Sequence, residues 1–335
     1  MSKAGHNYAA DGPRDSVNHL ATRLGGSAPI FVISSGRTGS TLLARQLNDH
    51  PEILVVSDIF EPGGVEPYFD REVLVDGHQL WAMLSRPSLP QRIKYWRDQS
   101  TDELLYLHPD DDKVSLLMSY TLPFLSPDPV ALFNELAPIV TNFKTAPAPD
   151  LLLQFFDVLR SRFGRRVWVE RTGGSLPHAR SILEAWPDAV ILHNVRDPVE
   201  TAISMMTGSF FRLYLALSMD PDLGDWNSDL MPTLSDMGAM LNRWIVDGEQ
   251  AFRQLPPERL SYVRYEDLVS DTSATLLSLI PIVLGRDVSP VDEDWALKQA
   301  RGVRPVPLKF PGLHEDQQSA LLAEVGAARD LLCYF

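Results

Sequence analysis

Residues 29–34, PIFVIS, run directly into SGRTGST and then into LLARQLN, and this succession constrains the chain more than any other stretch. A short apolar run bounded by turn residues predicts a buried parallel strand. Leu42, Leu43 and Leu47 then fall at helical spacing, and the helix is expected to stop before His50-Pro51. Strand, glycine loop and helix N-terminus together make an anion site. The first helical amides have no intrahelical acceptor, and the helix dipole favours negative charge in front of them. Gly36 and Gly39 allow close backbone approach. Ser35, Thr38, Ser40 and Thr41 bring further polar groups, and Arg37 brings a fixed cationic fork. The ATP-binding loop of kinases and ATPases needs G-x-x-x-x-G-K-[ST]. Here the glycines stand three apart and Ser40 occupies the lysine position.

Charge sharpens the point. The 335 residues carry a formal net charge of −14, which opposes nucleic acid and anionic membrane as partners. An anionic ligand needs cations gathered locally against that field. A second candidate anion site lies in HNVRDPVETAIS, residues 193–204, built on Arg196. Residues 189–195 read as a central buried strand, Asp197 as the cap of the next helix, Pro198 as its first residue and Glu200 as the capping-box partner. Arg196 then closes a strand at the carboxyl edge of the sheet, where open α/β folds bind ligands. Ser204 follows two helical turns later. Read without a ligand, the same residues are a glycine-rich turn and a salt-bridged helix start.

Alternation of strands and helices through most of the chain predicts an α/β fold, a central parallel sheet with helices on both faces. Residues 1–27 read as a polar arm and 28–335 as one domain. Residues 61–150, rich in proline and aromatic residues, read as a helical insertion on the acceptor side. Residues 167–170 read as a strand, 210–232 as an irregular aromatic stretch placed to cover a site, 235–255 as a helix, 272–284 as the last core helix, and 295–310 as a basic, proline-interrupted tail. No run is apolar enough to span a bilayer and the first residues lack a signal core. The single cysteine, Cys333, excludes an intramolecular disulfide. A cytoplasmic location is the expectation. Asp110, Asp111 and Asp112 read as a solvated acidic loop, and no spacing of ligands calls for a metal.

The segment SGRTGSTLLARQLNDHP resembles the 5′-phosphosulfate loop of sulfotransferases that use 3′-phosphoadenosine 5′-phosphosulfate (PAPS), in the bacterial branch with an R-T-G-S-T loop. Leu42 stands where cytosolic members place an adenine-stacking tryptophan. Arg196 and Ser204 match that family's 3′-phosphate motif, and YEDL at Tyr265–Leu268 its adenine-side segment. Glu170-Arg171-Thr172 resembles a stretch at the edge of the sulfate site, with Arg171 in place of a lysine and Thr172 and Ser175 as hydroxyl donors. The resemblance implies a sulfotransferase fold related to P-loop proteins, and transfer of a sulfuryl group to a hydroxyl of a small-molecule, lipid or carbohydrate acceptor. It makes Arg37 catalytic, and Ser35–Thr41, Arg171, Arg196, Ser204, Tyr265 and Arg301 cofactor-binding, with Arg304 an alternative to Arg301. Glu61, at the end of VVSDIFE, is the expected base. Asp58 is the alternative, and His78, His108 and His178 are further ones. His50 and His193 read as structural. A kinase-like nucleotide enzyme and a non-catalytic PAPS-binding homologue are the rival readings.

Overall fold

A computed structural model describes residues 28–60, 66–86, 115, 117–219 and 232–334. Five parallel strands form the central sheet in the order β2-β5-β1-β6-β7. They are β1 (Ile30–Ser34), β2 (Ile53–Ser57), β5 (Val167–Gly173), β6 (Val190–Val195) and β7 (Leu260–Arg264). A small antiparallel ribbon, β3 (Leu74–Val75) with β4 (Ala146–Pro147), stands apart from it. The sequence did not announce that ribbon within the 61–150 insertion. The described part of the insertion is otherwise helical, including α1's successor helices α2 (Gly77–Leu84) and α3 (Pro129–Val140), where α1 is Ser40–Asn48.

Alternation along each strand sorts the core into two layers, because successive side chains leave opposite faces of a sheet. Phe31, Ile33, Leu54, Val56 and Trp168 face one side. There they meet α4 (Ala148–Arg162), α5 (Ala179–Ala185), α6 (Pro198–Thr207), α7 (Ser209–Met219) and α8 (Leu234–Phe252). Ile30, Val32, Ile53, Val55 and Val169 face the other side. They meet α1, α9 (Thr272–Leu284) and α10 (Pro290–Ala300). Both faces of the sheet are therefore covered, as the sequence pattern requires. Leu43 and Leu47 of α1 are fully buried, each contributing about 2 kcal/mol. Leu42 is only half-buried.

Three expectations change. Residues 209–219 form the helix α7 rather than an irregular stretch, and the rest of that stretch, 220–231, lies outside the described residues. The last helix is α11 (Glu315–Leu331), which buries Leu321, Val325 and Ala328 against α8. Trp295, expected to open a basic tail, is a buried residue of α10 whose indole N–H donates to the carbonyl of Gln46 at 3.1 Å. No helix among the described residues is long and apolar enough to cross a membrane.

Candidate active site

A cavity of about 490 Å³ opens at the carboxyl edge of the sheet, over the ends of β1, β2, β5 and β6. Its floor is the loop between β1 and α1. Gly36, Arg37 and Gly39 all have positive φ (87°, 58° and 82°), a conformation costing a non-glycine residue about 1 kcal/mol or more. Arg37 carries that strain. The two glycines are required for a second reason. A Cβ on Gly36 would lie 2.3 Å from the Phe211 ring, and one on Gly39 would lie 2.5 Å from the Tyr265 ring. The aromatic rings of α7 and of the segment after β7 thus press directly on bare backbone. Thr38 pins the loop laterally, its hydroxyl donating to Asn194 Oδ1 at 2.7 Å, while Asn194 donates to the Val263 carbonyl.

α1 begins at Gly39 with no side-chain cap and no acidic residue in its first turn. Its leading amides and the positive end of its dipole are left for whatever enters the cavity. Ser40 and Thr41 flank this end. Their hydroxyl oxygens accept from the Arg171 guanidinium at 2.9 and 2.5 Å, which leaves each hydroxyl hydrogen free to donate outward.

Arg171 belongs to β5, which runs to Gly173, three residues past its expected end. Its side chain is 8% exposed, and the guanidinium donates to both Asp58 carboxylate oxygens at 3.0 and 2.8 Å. Asp58 has φ 60°, and its Oδ1 also accepts from the Gly173 amide at 3.2 Å. A strained aspartate therefore fixes the arginine against the loop. Behind them, Glu170 is fully buried, and burial pushes its carboxyl well above the usual range. The Thr172 hydroxyl donates to its Oε1 at 2.5 Å. Thr172 also accepts from the Phe60 amide, and Ser175 donates to the Thr172 carbonyl and takes the Ser34 amide. Both hydroxyls are spent on holding strand ends, although Thr172 still touches the cavity.

On the β6 side, Arg196 is nearly buried and lies over the Tyr265 ring, 4.5 Å from its centroid. It donates to the Arg37 carbonyl at 3.4 Å, and the Arg37 Nε–H donates to Ser204 Oγ at 3.3 Å. The two sequence motifs thus meet in one place. Gly36, Arg37, Gly39, Ser40, Thr41, Arg171, Arg196, Ser204 and Tyr265 all line the cavity. Ser35 and Thr38 are buried beneath it. Arg301 is exposed at the end of α10 and is not among the lining residues, and Arg304 is likewise exposed and absent from the wall. Lys309, further along the same tail, does line the cavity. Glu61 and His108 lie outside the described residues. His78 is exposed away from the cavity, and His178 is packed against Phe69. His50 and His193 are both buried, His50 bonding Asp292 and His193 facing Glu249.

Sequence reasoning did not single out Arg45, Val306 or Lys309, whereas Tyr120 and Phe124 come from the acceptor-side insertion and Phe210 and Phe211 from the aromatic stretch expected to cover a site. Arg45 was legible in principle, since it follows Thr41 by one helical turn and shares its face. Among the described lining residues the basic ones are Arg37, Arg45, Arg171, Arg196 and Lys309, and the acidic one is Asp58. In a chain of net charge −14 that is a local reversal of sign, and it suits a polyanion.

Residues 135–283 match the sulfotransferase family. No curated protein matches the chain in sequence. A solved sulfotransferase domain from the curacin biosynthetic pathway is similar in fold, with a TM-score of 0.51 at 16% identity over 92% of this chain and 99% of that one. A sulfotransferase from Alicyclobacillus acidocaldarius aligns with a TM-score of 0.43 at 18% identity, over 92% of this chain and 94% of its own. The family match covers residues 135–283, and the doubly covered parallel sheet is the fold this chain shares with the curacin-pathway domain.

Proposed function

We propose that the protein transfers a sulfuryl group from PAPS to a hydroxyl of a small-molecule, lipid or carbohydrate acceptor. One observation carries the reading: Arg37 and Arg196, from motifs 159 residues apart, are joined through the Arg37 carbonyl at the rim of one cation-rich cavity. The donor set suits a nucleotide with phosphates at two positions. Bare glycine backbone and uncapped helix amides serve one anionic group, and an arginine with a nearby serine hydroxyl serves another.

When bound, PAPS supplies the sulfuryl group and an adenosine bisphosphate leaving group. The chain's own residues do the rest. Arg37 neutralises charge that develops at the bridging oxygen, the role cationic groups play in phosphoryl transfer. Arg171, oriented by Asp58, presents its remaining charge together with the Ser40 and Thr41 hydroxyls to the transferring group. Arg196 and Ser204 hold the second phosphate, and Tyr265 supports Arg196 from below. Tyr120, Phe124, Phe210 and Phe211 give the cavity an aromatic wall that excludes water and accommodates the body of an acceptor. Asp58 is poorly suited to be the base because Arg171 engages both its oxygens. Glu61 remains the residue proposed to take the acceptor proton.

Calorimetry with adenosine 3′,5′-bisphosphate against ATP tests the donor half. Saturable binding of the bisphosphate and none of ATP is expected, and a preference for ATP would point to the kinase-like reading. Transfer from PAPS to phenolic, sugar and alkyl hydroxyl acceptors then tests turnover.

A further inference from the structure

One buried carboxylate beside the cavity has no part in this scheme. Glu200 stands on the first turn of α6, 3% exposed, its Oε2 3.7 Å from the Arg196 Nη2. Its spacing from Asp197 predicts a capping box, but Asp197 caps α6 alone by accepting from the Val199 amide at 2.8 Å. The Asp197 amide goes elsewhere, to Glu266 Oε1 at 3.0 Å. Glu200 instead accepts from the backbone amides of Lys309, at 2.8 and 3.0 Å, and Phe310, at 2.9 Å.

Those amides belong to a segment with little of its own to hold it. Residues 303–308 have no repetitive structure and are largely exposed, Leu308 at 70%. Even so, Val306 and Lys309 from this segment reach the cavity wall. The Lys309 ammonium has no partner among the described residues. A charge-assisted double bond from two consecutive amides to one buried carboxylate is strong enough to fix such a segment.

We propose that Glu200 is a positioning residue that staples residues 303–310 to the cavity rim. Lys309 then stands on the cavity wall, facing the bound nucleotide's anionic groups. The inference rests on the nucleotide reading above for the identity of the anion, though not for the staple itself. Charge alone gives the contrary expectation. A carboxylate next to Arg196 offsets that arginine, so removing it would tighten anion binding if Glu200 acted only through its field. The sign of the effect therefore separates the two roles.

The test uses the full chain and four variants. In the ligand-free protein, Glu200→Ala should speed hydrogen exchange across residues 303–312 by about tenfold or more, with β1 and β6 unchanged. Calorimetry with adenosine 3′,5′-bisphosphate should show about tenfold weaker binding for Glu200→Ala and about fivefold weaker binding for Lys309→Ala. The double variant should bind no more weakly than Glu200→Ala, because the unstapled segment no longer presents Lys309. Glu200→Gln keeps one oxygen for both amides and sheds the charge, so it should bind at least as tightly as the wild type. Tighter binding by Glu200→Ala, multiplicative losses in the double variant, or unaltered exchange would each overturn the proposal. A wild-type protein that ignores the bisphosphate would sink the nucleotide reading and the positioning role with it, while the exchange measurement would still decide the staple. Lys309→Ala leaves the core untouched, so the idea stays testable even if Glu200→Ala folds poorly.

Discussion

Two arginine clusters stand at opposite ends of the same sheet, and they are built on opposite principles. At the amino end of β2, Arg286 meets both oxygens of Asp292, at 2.6 and 2.9 Å, and also Glu52, while His50 Nε2 lies 2.8 Å from Asp292. The Arg286 hydrogen bond holds the Asp292 carboxyl well below the usual carboxylate range, and Asp292 in turn raises Arg286. His50, Glu52 and Asp292 offer atoms within 4.8 Å of one another, a spacing that could suit a metal. A guanidinium already bridges the two carboxylates there. Every charge is answered, and the cluster ties the start of α10 to β2. At the carboxyl end the bookkeeping is left open: among the described residues, five basic ones line the cavity against one acid. Saturated charge marks a latch, and surplus charge marks a site.

The comparison can be broken most sharply at Arg37. Arg37→Ala should lower sulfuryl transfer by about 10³-fold while thermal unfolding stays close to wild type, since the side chain is exposed. Near-normal turnover would show that the surplus charge is not catalytic. The opposite pattern is expected at the latch. Arg286→Ala should cost about 3 kcal/mol of stability by stranding buried Asp292, measured by urea unfolding, with kcat/KM per folded molecule unchanged. The latch also sets an acid limit. Because the folded-state pKa of Asp292 is depressed, its stabilisation is present above the ordinary carboxylate range and is lost as pH falls below it. A smaller effect belongs to Ser204, which accepts from Arg37. Ser204→Ala should weaken adenosine 3′,5′-bisphosphate by about tenfold in calorimetry, and an unchanged Kd would remove Ser204 from the nucleotide's partners.

What the sequence disclosed divides along the same line between local and distant causes. The β1–loop–α1 unit and the Arg196-Asp197-Pro198 turn are specified by neighbours in the chain, and both fold where the spacing puts them. The sheet's two faces followed from strand alternation. Glu200 shows where such reading stops: its spacing fits a local cap, and amides of Lys309 and Phe310 win it. Arg301 was expected from the family resemblance alone, whereas Lys309 owes its position to a partner 109 residues away. α11 was hidden because only a narrow stripe, Leu321, Val325 and Ala328, is buried on an otherwise exposed helix. α7 was hidden because the prolines beyond it made the whole aromatic stretch look irregular, although Phe211 and Leu215 stand one turn apart on the core side. The Asp58–Arg171 pair joins two strands that are adjacent only in space.

Glu170 gives the finest test of the contrast, because its ionisation would cancel part of the surplus at the carboxyl edge. Burial raises its carboxyl well above the ordinary value of 4.5, and its Oε2 has no hydrogen-bond partner among the described residues. A carboxyl with a raised folded-state pKa binds its proton more tightly in the folded protein than in the unfolded chain. Stability is therefore lost as pH rises from about 4.5 toward the folded pKa, at up to about 1.4 kcal/mol for each unit between the two. Glu170→Gln keeps the shape and removes the titration. The variant should match the wild type near pH 4 and exceed it by about 1 kcal/mol at pH 8, read from urea unfolding at the two pH values. A wild type that gains on the variant as pH rises would mean that Glu170 is ionised and paired with Arg171. Arg171 would then carry two carboxylates, as Arg286 does, and would belong with the latch rather than with the site.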